Sequence, residues 1–128
     1  MTAEARVGGL LYDLPEGYPA IVVPEGSILA VGTDDPATDA REERRLGRQA
    51  PAEPEEPTVR GELYVFDDPG TRLPALDALE EFVPGDPTSL YRRLLIPVRT
   101  DGGDVTLAWA YAARRAAGKH LPGGLWPA

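Results

Sequence analysis

One stretch, Leu73 to Val83, carries the strongest chemical signal in this sequence. Counted from Leu73 at about 100° per residue, Leu76, Leu79 and Val83 form an apolar stripe near roughly 285°. Glu80 falls near roughly 340°, inside the edge of that stripe, and Asp77 near roughly 40°, at its border. Glu81 falls near roughly 80°, well away from it. Two adjacent glutamates are therefore expected in different environments, Glu81 in water and Glu80 against apolar surface. A carboxylate so placed loses hydration, which raises its pKa toward neutrality. That suits a general acid/base working near pH 7. The competing reading is a helix-edge glutamate that reaches water or pairs with an arginine.

Other reactive groups are sparse. His120 is the sole histidine, and no G-x-S-x-G elbow accompanies it, so nucleophilic triad chemistry has little support. Arg92 and Arg93 follow Tyr91 on a strand, and consecutive strand residues point to opposite faces. Either arginine facing a cavity could grip a carboxylate with both arms of its guanidinium, and an edge-strand charge is the alternative. The chain has no cysteine, which excludes disulfides, thiolate catalysis and sulfur-bound metals. No calcium loop, histidine-based metal spacing, G-x-G-x-x-G or P-loop occurs, so no cofactor and no metal is expected.

The elements that must position these groups can be read in outline. A helix is expected over 73–82, with Pro74 in its first turn, ended by Pro84-Gly85-Asp86-Pro87. The turn Asp67-Asp68-Pro69-Gly70 precedes it. The motif V-x-G-x-L-Y occurs twice, at Val7–Tyr12 and Val59–Tyr64, and its interior glycines suggest bends in a curved sheet. Ala20–Val23 and Ile28–Val31 read as strands around the turn Pro24-Glu25-Gly26-Ser27. Leu90–Val98 and Val105–Ala113 read as a hairpin through Asp101-Gly102-Gly103. On the last strand Val105, Leu107, Trp109 and Tyr111 share one face, expected in the core. Thr106, Ala108, Ala110 and Ala112 share the other, which leaves room for a helix or a ligand.

With 128 residues the chain has the size of one domain. Its net charge of −8 repels phosphate backbones, so no nucleic acid partner is expected. The N-terminus has no apolar leader, and no stretch reaches the roughly 18 apolar residues of a membrane span. A cytoplasmic protein with no membrane association is expected. Residues 34–57 form an acidic, proline-rich segment, with Leu46 its only large apolar residue. Such a segment reads as a surface insert, either a docking loop or a tolerated insertion, with a turn or two of helix over 39–48.

The order of motifs resembles the γ-glutamylcyclotransferase-like superfamily, which includes the γ-glutamylamine cyclotransferases. The resemblance rests on Val7–Val22, on Val59–Phe82 with its G-E-L-Y and L-D-x-x-E (Leu76, Asp77, Glu80), and on Pro87–Val98 with Tyr91 and Arg93. Leu107–Ala113 and Leu121–Trp126 add to it. It implies an α+β fold, a small mixed β-barrel of about five or six strands with one main helix. It implies a γ-glutamylcyclotransferase, in which a γ-glutamyl amide or peptide cyclises to 5-oxoproline and releases an amine or amino acid. The ligand is then a small-molecule γ-glutamyl substrate, and no cofactor is needed. The family's catalytic glutamate corresponds to Glu80, and Arg93, Tyr91 and Tyr12 become candidate substrate-binding residues. The family's Y-G-x-L loop, whose backbone N–H groups hold the γ-glutamyl group, is not found in the sequence. The alternative is a non-catalytic binding or assembly module on the same fold. Sheet edges left open by a missing first strand predict a homodimer or an added partner strand.

Overall fold

The computed structural model describes residues 2–15, 19–49, 52–65, 69–80, 82–116 and 118–125. In chain order the elements are β1 (Thr2–Gly8), β2 (Leu10–Asp13), β3 (Pro19–Val22), β4 (Ala30–Val31), α1 (Pro36–Gly47), β5 (Thr58–Tyr64), α2 (Pro69–Leu79), β6 (Tyr91–Thr100), β7 (Val105–Ala113) and β8 (Lys119–Leu121). The class is α+β. The strands form two antiparallel sheets, one of five strands and one ordered β3-β2-β8. The sheets do not close into a continuous barrel.

β6 organises the larger sheet. It pairs with β7 along nearly its whole length, from Tyr91↔Ala113 to Arg99↔Val105. Its other edge is shared by β4, at Leu94 and Leu95, and by β1, at Val98 to Thr100. β5 completes the sheet beside β1. The first V-x-G-x-L-Y motif therefore spans two strands, because the chain turns from one sheet into the other at Gly9, whose φ is 156°. A Cβ on Gly9 would lie 2.7 Å from the Val22 carbonyl oxygen, so only glycine fits that crossing. The second motif is the straight strand β5. The two copies partly pair with each other, Val7 opposite Val59.

Alternation along β6 sorts its side chains into two faces. Leu94, Ile96 and Val98 form the core with Ala5, Val23 and Ala112, and Ala108, Ala110 and Ile21 pack against it. Burying each of the large aliphatic residues is worth about 1.5–3 kcal/mol. Here the structure reverses an expectation: the alanine face of β7 meets the core, and Trp109 and Tyr111 point the other way. The register explains it. Ala110 lies opposite Leu94 and Ala108 opposite Ile96. Large β6 side chains beside small β7 ones fill the space between the sheets without overpacking. The aromatic face instead shares its side of the sheet with Arg93.

Both helices lie over that aromatic face. Asp35 caps α1, its carboxylate accepting the Ala37 N–H at 3.1 Å and the Thr38 hydroxyl at 2.8 Å, and Pro36 occupies the first turn. On its outer side Arg45 pairs with Glu42 at 2.7 Å. The acidic segment thus holds a helix of 12 residues rather than a turn or two, and it is not all surface, since Asp39 is only 2% exposed. α2 starts at Pro69 and ends at Leu79, earlier at both ends than the apolar spacing suggests. Its inward residue is Asp77, while Leu79 is 75% exposed. The leucine stripe does not orient this helix, because the strand below offers a cation. The expected turn residues Asp67 and Asp68, with Glu81 and Trp126, lie outside the described residues. Among the described residues no helix is long and apolar enough to cross a membrane.

Candidate active site

Arg93 is the centre of the polar group between the sheet and the helices. It is 1% exposed, and β6 aims it at both α1 and α2. Its Nε donates to Asp77 Oδ1 at 2.8 Å, and its Nη2 donates to Asp39 Oδ2 at 2.9 Å and to the Thr33 carbonyl at 3.0 Å. A longer Nη2 bond reaches Asp77 Oδ2 at 3.2 Å. Asp39 also accepts the Thr33 hydroxyl at 2.8 Å and the Thr33 N–H at 3.1 Å. Burial alone would lower the Arg93 pKa, but the bonds to Asp77 and Asp39 and their charges outweigh it and raise it. The guanidinium also stacks on Trp109, 4.8 Å from the ring centre, and sits 6.0 Å from that of the buried Phe82.

Tyr111, cross-strand from Arg93, joins the group from β7. Its hydroxyl donates to Asp77 Oδ1 at 2.5 Å. Burial, then the bond to Asp77 and the Asp77 charge, push the phenol far above its ordinary range, with a further push from Glu80. Tyr111 therefore stays a neutral donor at any physiological pH, and Glu80 lies within electrostatic reach of it.

Glu80 itself occupies the turn that closes α2. Its N–H donates to the Leu76 carbonyl at 2.9 Å, and the Phe82 N–H donates back to the Asp77 carbonyl at 2.9 Å. The side chain is half-buried. No hydrogen bond or ion pair among the described residues engages its carboxylate, in contrast to Asp39 and Asp77. Asp39 and Asp77 are thus bonded to Arg93, while the Glu80 carboxylate has no such bond among the described residues.

The other sequence candidates fall in different places. Tyr91 begins β6 and is half-buried. Tyr12 lies in the smaller sheet, where its ring is 5.4 Å from that of His120. No bond or ring contact joins it to the Arg93 group. Arg92 projects from the opposite face of β6, its Nη2 3.6 Å from Glu25. Arg93 does face inward; Asp77, Asp39 and Thr33 occupy its Nε and Nη2, while its buried Nη1 has no hydrogen-bond partner among the described residues. A separate cleft of about 220 Å³ is lined by Arg6, Glu56, Arg99, Thr100 and Asp101. Two arginines and two carboxylates line it, and it shares no residue with the Glu80 group.

Gly32 tests the packing around Arg93. A Cβ there would lie 2.6 Å from the guanidinium carbon, so the cation would have to move. Gly32→Ala is expected to destabilise the fold by about 1–3 kcal/mol, the usual range for overpacking. A denaturant midpoint unchanged from wild type would contradict this placement of Arg93.

Glu43 lies one turn beyond Asp39 on α1 and shares its face. Burial pushes its carboxyl above the ordinary 4.5, while the Arg44 charge and a hydrogen bond with Trp109 pull it back. A raised carboxyl pKa means the folded state holds the proton more tightly than the unfolded state. This contribution to stability is complete below 4.5 and is lost as pH rises through the folded pKa. Glu43→Gln is therefore expected to raise the melting temperature at pH 7 and leave it unchanged at pH 4. A lower melting temperature at pH 7 would contradict it.

Residues 46–128 match the family model described as gamma-glutamyl cyclotransferase, AIG2-like. The chain belongs to this family. No curated protein and no solved structure matches the sequence. The matched part of this cyclotransferase-family chain contains Asp77, Glu80, Arg93, Trp109 and Tyr111. Asp39 and Thr33, which complete the buried group, lie before it. Arg93 is legible as one of two arginines on opposite faces of a strand and Tyr111 as one of an aromatic face, while Glu80, expected inside the helix, lies in the turn after it. Asp39 carried no signal, because nothing in an acidic stretch marks which carboxylate will meet a buried cation.

Proposed function

We propose that the protein is a γ-glutamylcyclotransferase with Glu80 as its general acid/base. One observation carries this: in a chain of the cyclotransferase family, Glu80 is a half-buried carboxylate without a hydrogen bond among the described residues, next to the buried Arg93–Asp77–Tyr111 group. The substrate is a γ-glutamyl amide or peptide. Its α-ammonium gives a proton to Glu80, and the freed amine nitrogen attacks the γ-carbonyl carbon. That new nitrogen–carbon bond closes the five-membered ring. The bond from the γ-carbon to the leaving nitrogen then breaks as Glu80 returns the proton to it. The ring nitrogen sheds its second proton in the same collapse, and the released amine carries that proton away as an ammonium. The products are 5-oxoproline and a free amine or amino acid. No water and no cofactor enters the balance.

The attack is intramolecular, so what the protein must supply is proton transfer and a folded-back substrate conformation. Glu80 follows directly on a helix that the Asp77–Arg93 bonds fasten to the sheet, which anchors its backbone beside the buried group. The test is to incubate the folded protein with glutathione, γ-glutamyl amino acids and γ-glutamyl-lysine, and to measure 5-oxoproline. Release from at least one is expected. No release from any would contradict the proposal and leave a binding or assembly module in its place.

A further inference from the structure

The buried group at the site is completed from outside the part of the chain that matches the family. Arg93 could pair with Asp77 alone, as one cation with one carboxylate. Instead α1 inserts a second carboxylate, Asp39, which is 2% exposed. Asp39 is fixed in turn by both the hydroxyl and the N–H of Thr33. Arg93 Nη2 is held between Asp39 at 2.9 Å and the Thr33 carbonyl at 3.0 Å, while Nε holds Asp77 at 2.8 Å. The same Asp77 oxygen that takes Nε also takes the Tyr111 hydroxyl. The bonds therefore run from Thr33 and Asp39 through Arg93 and Asp77 to Tyr111, whose electrostatic neighbour is Glu80. Among the described residues no hydrogen bond joins Asp39 to Tyr111 or Glu80.

Two features argue that Asp39 does more than hold α1 down. The inward face of α1 carries Asp39 and the half-buried Glu43 rather than a row of large apolar residues, so the helix is aimed at Arg93 and Trp109 specifically. A buried second carboxylate is also a costly way to fasten a helix, since each desolvated charge loses hydration. Its return is geometric. With Nη2 held from the α1 side, the guanidinium plane cannot swing, and Asp77 keeps one oxygen on Tyr111.

We propose that Asp39 is a positioning residue for the site: by clamping Arg93 from α1, it fixes the Asp77–Tyr111 bond and with it the end of α2 that carries Glu80. This rests on the cyclotransferase function proposed above. The variants are Asp39→Asn, which keeps the shape and removes the charge, and Thr33→Val, which removes one bond to Asp39 together with the two that the Thr33 hydroxyl makes with the Asp35 backbone, and no charge.

For folded Asp39→Asn, kcat for 5-oxoproline release is expected to fall about tenfold to a hundredfold, because small misplacements of catalytic groups have costs of that size. KM is expected to stay within about twofold, since no binding group is touched. Thr33→Val is expected to show a smaller fall in kcat of the same kind, and it decides the matter if Asp39→Asn does not fold. A second readout is independent of turnover. The buried Tyr111 hydroxyl proton should give a downfield proton resonance in the wild type, assigned by its loss in Tyr111→Phe. It should broaden or vanish in Asp39→Asn. A wild-type kcat in folded Asp39→Asn would overturn the proposal, and so would a Tyr111 resonance that is unchanged there or missing from the wild type. If the wild type releases no 5-oxoproline, the cyclotransferase function fails on its own and the Tyr111 resonance still decides the role of Asp39.

Discussion

Glu80→Gln is expected to reduce 5-oxoproline release by about 10²–10⁴-fold, the usual contribution of a positioned general acid/base. Glutamine matches glutamate in size and keeps an acceptor oxygen, but it cannot take the ammonium proton. The fall should appear in kcat and in kcat/KM together, because the proton moves only in the transition state. Stability should change by less than about 0.5 kcal/mol, since no described group bonds to the carboxylate. Glu80→Asp keeps the charge and shortens the arm by one methylene. Moving the carboxylate by about 1 Å is expected to cost up to about 100-fold. The two variants separate chemistry from placement. If Glu80→Gln turns over at the wild-type rate, Glu80 is not the acid/base.

Arg93→Met is expected to have the largest effect on stability. It removes the cation that two buried aspartates share and leaves both carboxylates without a counter-charge. Breaking a buried ion pair from one side costs about 3–5 kcal/mol, a large part of the stability of a domain this size. Urea unfolding should show a much lower midpoint. Adding Asp39→Asn and Asp77→Asn should recover part of the loss, because the remaining polar groups are then neutral. If Arg93→Met is as stable as the wild type, the Arg93 bonds with Asp39 and Asp77 are not formed in solution.

Much of the frame could be read from spacing. The hairpin of β6 and β7 falls where the two strand runs and Asp101-Gly102-Gly103 put it, because alternation and a glycine turn are local properties. β3 and β4 fall close to the expected runs for the same reason. The orientation of β7 could not be read. Its two faces differ in size, but which one meets the core depends on Leu94 and Ile96 across the strand, and so on register. α2 misled in a similar way. Its leucines suggest an inward stripe, yet Leu79 and Val83 are exposed and Asp77 is buried. The cause is Arg93, which lies 16 residues further on and requires a carboxylate opposite.

The site divides along the same line. Glu80 stands out in the sequence because of a local motif, although it lies in the turn after α2 and not within the expected helix. Asp39 does not, because its burial is decided by a bond to a residue 54 positions away. A stretch with eight carboxylates reads as solvated unless its partner is known. Composition describes the average residue of α1 correctly, and it fails for the residue that matters most.

The most direct measurement is the balance of products from a matched pair of substrates, γ-glutamyl and α-glutamyl amides of the same amine. Cyclisation at the γ-carbonyl releases the amine only when the amine is attached there. The protein is expected to release amine and 5-oxoproline in equal amounts from the γ-linked compound, and no amine from the α-linked one. Amine released together with free glutamate, or from both compounds alike, would show hydrolysis instead of cyclisation and would contradict the role given to Glu80.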